Sequence, residues 1–172
     1  VVVNLSWLGA QLRDALGDGT RFGLAIRYSD EGPVALETGG GIFRALPWLG
    51  PEPFLVVNGD IYSDYALGGL RLAPGLLGQL VLVPNPEQHP RGDFHLAASG
   101  LIADGEPRHT YSGIAIFHPE LFAGCSDGRF PLKPLLDRAI EAGRLGGELH
   151  EGLWTDVGTP ARLAALDQHL TG

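Results

Sequence analysis

Phe54-Leu55-Val56-Val57-Asn58-Gly59-Asp60 is the stretch from which the fold reads. Four apolar residues in a row, ending in adjacent valines, predict a short strand buried on both faces, the pattern of a parallel sheet. Asn58-Gly59 breaks that strand, and Asp60 follows at once. In an open α/β sheet, ligands gather just beyond the carboxyl ends of the strands. A carboxylate there is poised to hold a hard cation such as Mg²⁺ against phosphate oxygens. Asn-Gly-Asp alone is equally compatible with a polar turn, so the flanking sequence decides.

The chain has 172 residues, enough to bury a real core. One domain over 1–172 is expected, because no internal repeat and no low-complexity linker interrupts it. No run of eighteen apolar residues and no basic-then-apolar leader is present, so neither a membrane partner nor secretion is indicated. Twelve basic against twenty acidic residues give a net charge of −8, which argues against a nucleic-acid polymer as partner but not against a single nucleotide. The one cysteine, Cys125, excludes an internal disulfide and a cysteine-based zinc cluster and agrees with a reducing cytoplasm. The sequence is silent on oligomeric state.

Val1-Val2-Val3-Asn4 reads as a strand already inside a fold, so a fragment is expected. Ser6 is a candidate cap for a helix over about 7–16, with Leu8, Leu12, Ala15 and Leu16 on one face and Gly17 as its stop. Leu24-Ala25-Ile26 marks a second strand, and strand–helix–strand implies a right-handed parallel crossover.

Leu36-Glu37-Thr38-Gly39-Gly40-Gly41-Ile42-Phe43 begins a second helix, with Thr38 as its expected cap. Three glycines in a first turn cost about 1 kcal/mol each relative to alanine, so something should offset them. Glycines let a ligand approach the backbone, and a helix start offers free N–H groups, so a nucleotide over Gly39-Gly40-Gly41 is expected. A structural glycine turn is the alternative.

Tyr65 to Leu72 is a candidate short helix. Gly78 to Val83 is a strand, followed by a polar loop rich in proline from Asn85 to Asp93. Phe94–Ala97 and Gly100–Ala103 form a hairpin; Tyr111–Phe117 is a strand whose Gly113 marks a bulge or a close ligand approach. Pro119 starts a short helix to Phe122, and Pro131 to Ala142 is a clear helix. In Trp154-Thr155-Asp156-Val157-Gly158-Thr159-Pro160, Thr159 caps a last helix that Pro160 opens, with Leu163, Leu166 and Leu170 expected on the core. Asp60 and Asp156 each follow an apolar segment beside a glycine. Their oxygens, converging beyond the sheet, would share one Mg²⁺. An Asx turn is the alternative for Asp156.

Leu36-Glu37-Thr38-Gly39-Gly40-Gly41, Leu55-Val56-Val57-Asn58-Gly59-Asp60, Thr110-Tyr111-Ser112-Gly113-Ile114 and the 154–160 segment, in this order, resemble the sugar-1-phosphate nucleotidyltransferases over essentially the whole chain. Gly92-Asp93-Phe94 and the 110–114 segment resemble the N-acetylmuramate-1-phosphate uridylyltransferase branch, which serves cell-wall (peptidoglycan) recycling. The resemblance implies a three-layer α/β Rossmann-like domain with a mixed, mostly parallel sheet. It also implies a nucleoside triphosphate, UTP, a sugar 1-phosphate, N-acetylmuramate 1-phosphate, and Mg²⁺ held by Asp60 and Asp156 as catalytic residues. Glu37, Thr38, Gly39, Gly40 and Asn58 are implied at the nucleotide; Gly92, Asp93, Tyr111 and Gly113 at the sugar. A thymidylyl- or guanylyltransferase acting on glucose or mannose 1-phosphate is the alternative enzyme, and a non-catalytic binding domain of the same fold the alternative class.

The family's opening strand and its GxGxR-type phosphate loop have no counterpart here, and Val1 matches the second strand of the family fold. Glu106-Pro107-Arg108 stands near the family's Glu-Lys-Pro, with Arg108 read as an exposed loop arginine and Lys133, the only lysine, as a surface residue. These 172 residues alone are therefore expected to be poorly folded or self-associated and to release no pyrophosphate from UTP.

Overall fold

The computed structural model describes residues 1–171 and resolves them into two compact units, Val1–Glu52 with Pro119–Asp137, and Pro53–His118 with the chain from Arg138 onward. Each unit is discontinuous in sequence. Among the described residues, no helix is long and apolar enough to cross a membrane.

In the first unit, β1 (Val2–Leu5) and β2 (Arg27–Asp30) pair in parallel, as the strand–helix–strand order implies. β2 begins one residue after Leu24-Ala25-Ile26, so the apolar triplet leads into the strand instead of forming it. Between them α1 spans Gly9–Leu16. Ser6 does not cap it: Leu8 holds the cap position with φ of 57° and no side-chain bond. Gly17 stops it as expected, its N–H donating to Arg13 O at 2.8 Å.

α2 spans Glu37–Leu49 and starts one residue before Thr38, with Leu36 at the cap position. Its three glycines are buried. A Cβ on Gly39 would lie 2.7 Å from the Phe130 ring, one on Gly40 would lie 2.2 Å from Gly128 O, and one on Gly41 would lie 2.5 Å from Glu31 Oε1. The chain's own 128–130 segment therefore occupies the space that the glycines open. It is tied down by Gly40 N–H donating to Phe130 O and Phe130 N–H donating to Leu36 O, at 3.0 and 3.1 Å. What offsets the helix cost of these glycines is close packing of protein on protein.

The second unit is built on a mixed sheet. β5 (Gly78–Val83) runs parallel to β9 (Leu145–Leu149) and antiparallel to the long β8 (Arg108–Phe117). β6 (Phe94–Leu96) and β7 (Ile102–Ala103) form the expected hairpin and extend the sheet beyond the start of β8. The core runs along Leu80, Val81, Leu82 and Val83, each at most 1% exposed, against Ile114, Ala115, Phe117 and Leu145. β3 (Phe54–Val57) forms where expected but pairs antiparallel to β8, Val57 opposite Ile114. It is not buried on both faces, since Leu55 and Val57 are 42% and 44% exposed. An unbroken apolar run of four carries no period, so it could not report either property. The segment after Tyr65 contributes only a 3-10 turn at Leu67–Gly69.

β4 (Ile61–Ser63) and β10 (Trp154–Asp156) make a separate antiparallel ribbon, with Asp156 opposite Ile61. α3 spans Lys133–Glu141 and α4 spans Pro160–Thr171. Thr159 caps α4, its Oγ1 accepting from Arg162 N–H at 3.3 Å. Leu163 and Leu170 do not face the core; they are 47% and 51% exposed, and α4 buries no residue. Its helical spacing is real, but the fold brings little more than β10 against it.

Adding a methyl at Gly40 forces backbone apart, because Gly128 O is not a flexible group. Gly40→Ala is expected to lower the unfolding free energy by about 2 kcal/mol in urea titration. Gly68→Ala, where a Cβ meets nothing within 4 Å, is expected to change it little.

Candidate functional site

The second unit holds Asp60 and Asp156, and a bulge in β8 positions both. Val81 of β5 pairs with Ile114 and Leu82 with Tyr111, so Ser112 and Gly113 are the two residues squeezed out of register. Gly113 sits at φ of 82°, a conformation that glycine adopts without strain. Ser112 is 1% exposed. Its hydroxyl donates to Val81 O at 2.7 Å and accepts from Ile114 N–H at 3.1 Å. Its carbonyl accepts from Trp154 Nε1 at 2.8 Å, which anchors β10. Asn58 at the end of β3 donates its N–H to Gly113 O at 2.9 Å. A Cβ on Gly113 would lie 2.8 Å from Asn58 Nδ2, so the close approach that the glycine permits is that of Asn58.

From these two anchors the aspartates follow within two residues. Val157 N–H donates to Asp60 O at 2.8 Å, closing the end of the β4–β10 ribbon. A Cβ built on Gly158 would lie 3.5 Å from Asp156 Oδ1, 3.9 Å from Asp60 Oδ2 and 3.2 Å from Arg162 Nη2. Both carboxylates thus face one small space, left open because residue 158 has no side chain. Asp156 is engaged on both oxygens. Oδ1 pairs with Arg162 Nη2 and faces Gly158 N–H at 3.4 Å, while Oδ2 accepts from Gln88 Nε2 at 3.0 Å. The Asp60 carboxylate has no partner among the described residues.

Two carboxylates suit Mg²⁺, which takes one or two from protein and leaves its other positions to water and phosphate. Among the described residues no group of three or more His, Cys, Asp or Glu forms a metal cage, so a fully protein-ligated ion is not what this donor set fits. The open space at Gly158 and the unpartnered Asp60 oxygens do fit an ion shared with a phosphorylated ligand.

In the same unit, Asn85–Asp93 folds over the start of β8. Asp93 Oδ1 meets His89 Nε2 at 3.0 Å, and Oδ2 accepts from Tyr111 N–H at 2.8 Å. Both Asp93 oxygens are therefore committed to holding the loop. The Tyr111 ring packs edge-on against Phe94, and burial pushes its phenol above the usual tyrosine range. Gly92 sits at φ of 61°, and a Cβ there would lie 2.7 Å from Asn85 Oδ1 and 2.9 Å from Arg108 O. Beside it opens a cavity of about 560 Å³ lined by Asn85, His89, Arg91, Gly92, Glu106 and Arg108, among others. Arg108 is half-exposed and pairs with Glu106 at 3.4 Å, so it belongs to this cavity wall as well as to the surface.

In the first unit, Glu37 and Thr38 are exposed at the start of α2. Glu37 has φ of 61°, a left-handed value unusual outside glycine, and its Oε1 accepts from Arg129 Nε at 2.8 Å. Gly39 and Gly40 lie beneath, against Phe130 and Gly128.

Gln88, Arg162, Ser112 and Trp154 carry the geometry of the aspartates; Ser112 and Trp154 lie in the quoted motifs without an assigned role, and Gln88 and Arg162 lie outside them. For Arg162 a signal existed: a cation in the first turn of a helix opposes the helix dipole and asks for a nearby anion.

No family model matches the chain. The N-acetylmuramate alpha-1-phosphate uridylyltransferase of Neisseria meningitidis serogroup B is 42% identical over 172 residues, 95% of this chain and 74% of that protein. The protein of the same name from Caulobacter vibrioides is 36% identical over 181 residues, 95% and 75%. Among solved structures, a putative glucose-1-phosphate thymidylyltransferase from Bacillus anthracis, in complex with a sucrose, superposes with a TM-score of 0.79 over 98% of this chain and 74% of that one. At 15% identity that likeness speaks for the fold, Rossmann-like and α/β as expected.

Ser112 is the hub of this geometry. Ser112→Ala removes one donor and one acceptor from a buried place and is expected to lower the unfolding free energy by about 2 kcal/mol in chemical denaturation.

Proposed function

The chain belongs to the sugar-1-phosphate nucleotidyltransferases, and we propose that it transfers the uridylyl group of UTP to N-acetylmuramate 1-phosphate. The observation that carries this is the convergence of Asp60 and Asp156 over Gly158. A phosphate oxygen of the sugar 1-phosphate attacks the α-phosphorus of UTP in line. The new P–O bond forms as the bond to the β-phosphate bridge oxygen breaks, and the electron pair leaves with pyrophosphate. No covalent enzyme intermediate is required, so catalysis is positioning and charge neutralisation. Asp60 and Asp156 would hold Mg²⁺, which when bound supplies positive charge against phosphate oxygens.

For the nucleotide, Glu37 and Thr38 are the exposed candidates of the first unit, with Gly39 and Gly40 supporting them by admitting the 128–130 segment. Asn58 is the candidate of the second unit, fixed through its backbone to Gly113. For the sugar, the cavity beside Gly92 supports the assignment. Asp93, Tyr111 and Gly113 would act by shaping that loop and strand, since their polar or open faces are taken up by the chain itself. N-acetylmuramate carries a lactyl carboxylate, and a cationic donor must meet it. Arg91 lines the cavity without a hydrogen-bond or ion-pair partner among the described residues. His109, close by in sequence, is not among the cavity-lining residues. The reaction belongs in the cytoplasm, where UTP is made, and serves reuse of cell-wall sugars.

Pyrophosphate release from UTP by the full-length protein tests the assignment. Asp60→Asn is expected to cut turnover at least about a hundredfold with the melting profile intact; near-normal turnover contradicts the role of Asp60. N-acetylmuramate 1-phosphate is expected to be used far better than glucose 1-phosphate, and the reverse preference moves the assignment to a hexose 1-phosphate. Arg91→Ala is expected to raise the KM for N-acetylmuramate 1-phosphate about tenfold and to leave glucose 1-phosphate kinetics alone, since a charged hydrogen bond to the carboxylate is lost.

A further inference from the structure

Arg162 stands at the third position of α4, where the positive end of the helix dipole disfavours a cation. Its guanidinium nevertheless turns back onto Asp156 Oδ1, and the place a Gly158 Cβ would take lies only 3.2 Å from Nη2. The Nε–H of the same guanidinium is buried with no hydrogen-bond partner among the described residues. A guanidinium held with one donor unpaired and against a helix dipole is in a compromise position. Its counter-charge is uneven: Asp156 is engaged on both oxygens while Asp60, facing the same space, is unpartnered.

We propose that Arg162 is a positioning residue that Asp156 exchanges for a divalent cation. In the metal-free protein it neutralises one of two facing carboxylates and keeps Asp156 Oδ1 turned toward the space over Gly158. When a divalent ion takes that space, the guanidinium competes with it for Oδ1, because two cations drawn to one carboxylate oxygen repel each other and each weakens the other's hold. Arg162 therefore sets the metal affinity of the site by competition. The pair is partly exposed, with side chains 35% and 25% accessible, so the competing interaction is moderate and exchange remains easy.

This rests on the reading that Asp60 and Asp156 hold the divalent ion. The test is Mn²⁺ binding alone, by calorimetry or by electron paramagnetic resonance of free Mn²⁺, on the full-length protein without nucleotide or sugar. Arg162→Gln is expected to tighten Mn²⁺ binding about five- to tenfold while lowering the melting temperature of the metal-free protein. Arg162→Lys, which keeps the charge, is expected to stay near wild type. In an Asp156→Asn background, adding Arg162→Gln is expected to change nothing. A purely structural role for Arg162 predicts weaker or unchanged metal binding in Arg162→Gln, and that result overturns the proposal. Should Arg162→Gln not melt cooperatively, Arg162→Met, which keeps the packed alkyl stem, is read by the same criterion. Wild-type protein with no Mn²⁺ binding that Asp156→Asn removes contradicts the metal reading and the proposal together. Binding in wild type without tightening in Arg162→Gln overturns the proposal alone.

Discussion

The bulge at Ser112-Gly113 is the constraint on which the site depends. An uninterrupted β8 would present ladder groups all along its length and leave nothing to hold β3 and β10 at their ends. With two residues out of register, the Ser112 hydroxyl closes the ladder locally through Val81 O and Ile114 N–H. The carbonyls of Ser112 and Gly113 are then free to receive Trp154 Nε1 and Asn58 N–H. Asn58 and Trp154 each lie two residues from an aspartate. One irregularity in one strand thus fixes the approach of Asp60 and Asp156 from two distant parts of the chain, and Gly158 leaves the space between their oxygens open.

Glycines in this chain illustrate why a motif and its chemistry are separate matters. Gly39, Gly40 and Gly41 are spaced as a ligand would need, and also as a crossing backbone would need. The 128–130 segment takes that opening, and Arg44 and Arg129 reach Asp127 and Glu37 to hold the two stretches together. No local feature of residues 39–41 distinguishes a phosphate from a peptide carbonyl 90 residues away. At Gly158 the opposite holds: the open side faces two carboxylates and a guanidinium, which is a chemical environment and not a packing surface.

Much of the architecture was legible. β5, the 94–103 hairpin, α3, the Thr159 cap and the parallel β1–β2 pair all follow from apolar period, turn residues and capping chemistry. The failures share a physical cause, dependence on partners distant in sequence. Ser6 had the right chemistry for a cap, but Leu8 in a left-handed conformation ended the turn first. The direction of β3 is set by β8, not by Phe54–Val57 themselves. The apolar stripe of α4 predicts a buried face only if the fold supplies something to bury it. Of the two facing carboxylates, the sequence shows the apolar segment before each and the glycine beside it; Asp60 follows β3 and Asp156 ends β10. Their partners could not be read from it, because Gln88 and Arg162 meet Asp156 through loop and helix geometry that no spacing encodes.

The account treats the space over Gly158 as the place where two carboxylates receive a divalent ion and with it the phosphates of the reaction. Anomalous diffraction from a crystal of the protein soaked in Mn²⁺ addresses this directly. The account predicts one anomalous peak between Asp60 and Asp156, with the Arg162 guanidinium withdrawn from Oδ1. A peak elsewhere, or an undisturbed Arg162–Asp156 pair at saturating Mn²⁺, would contradict it.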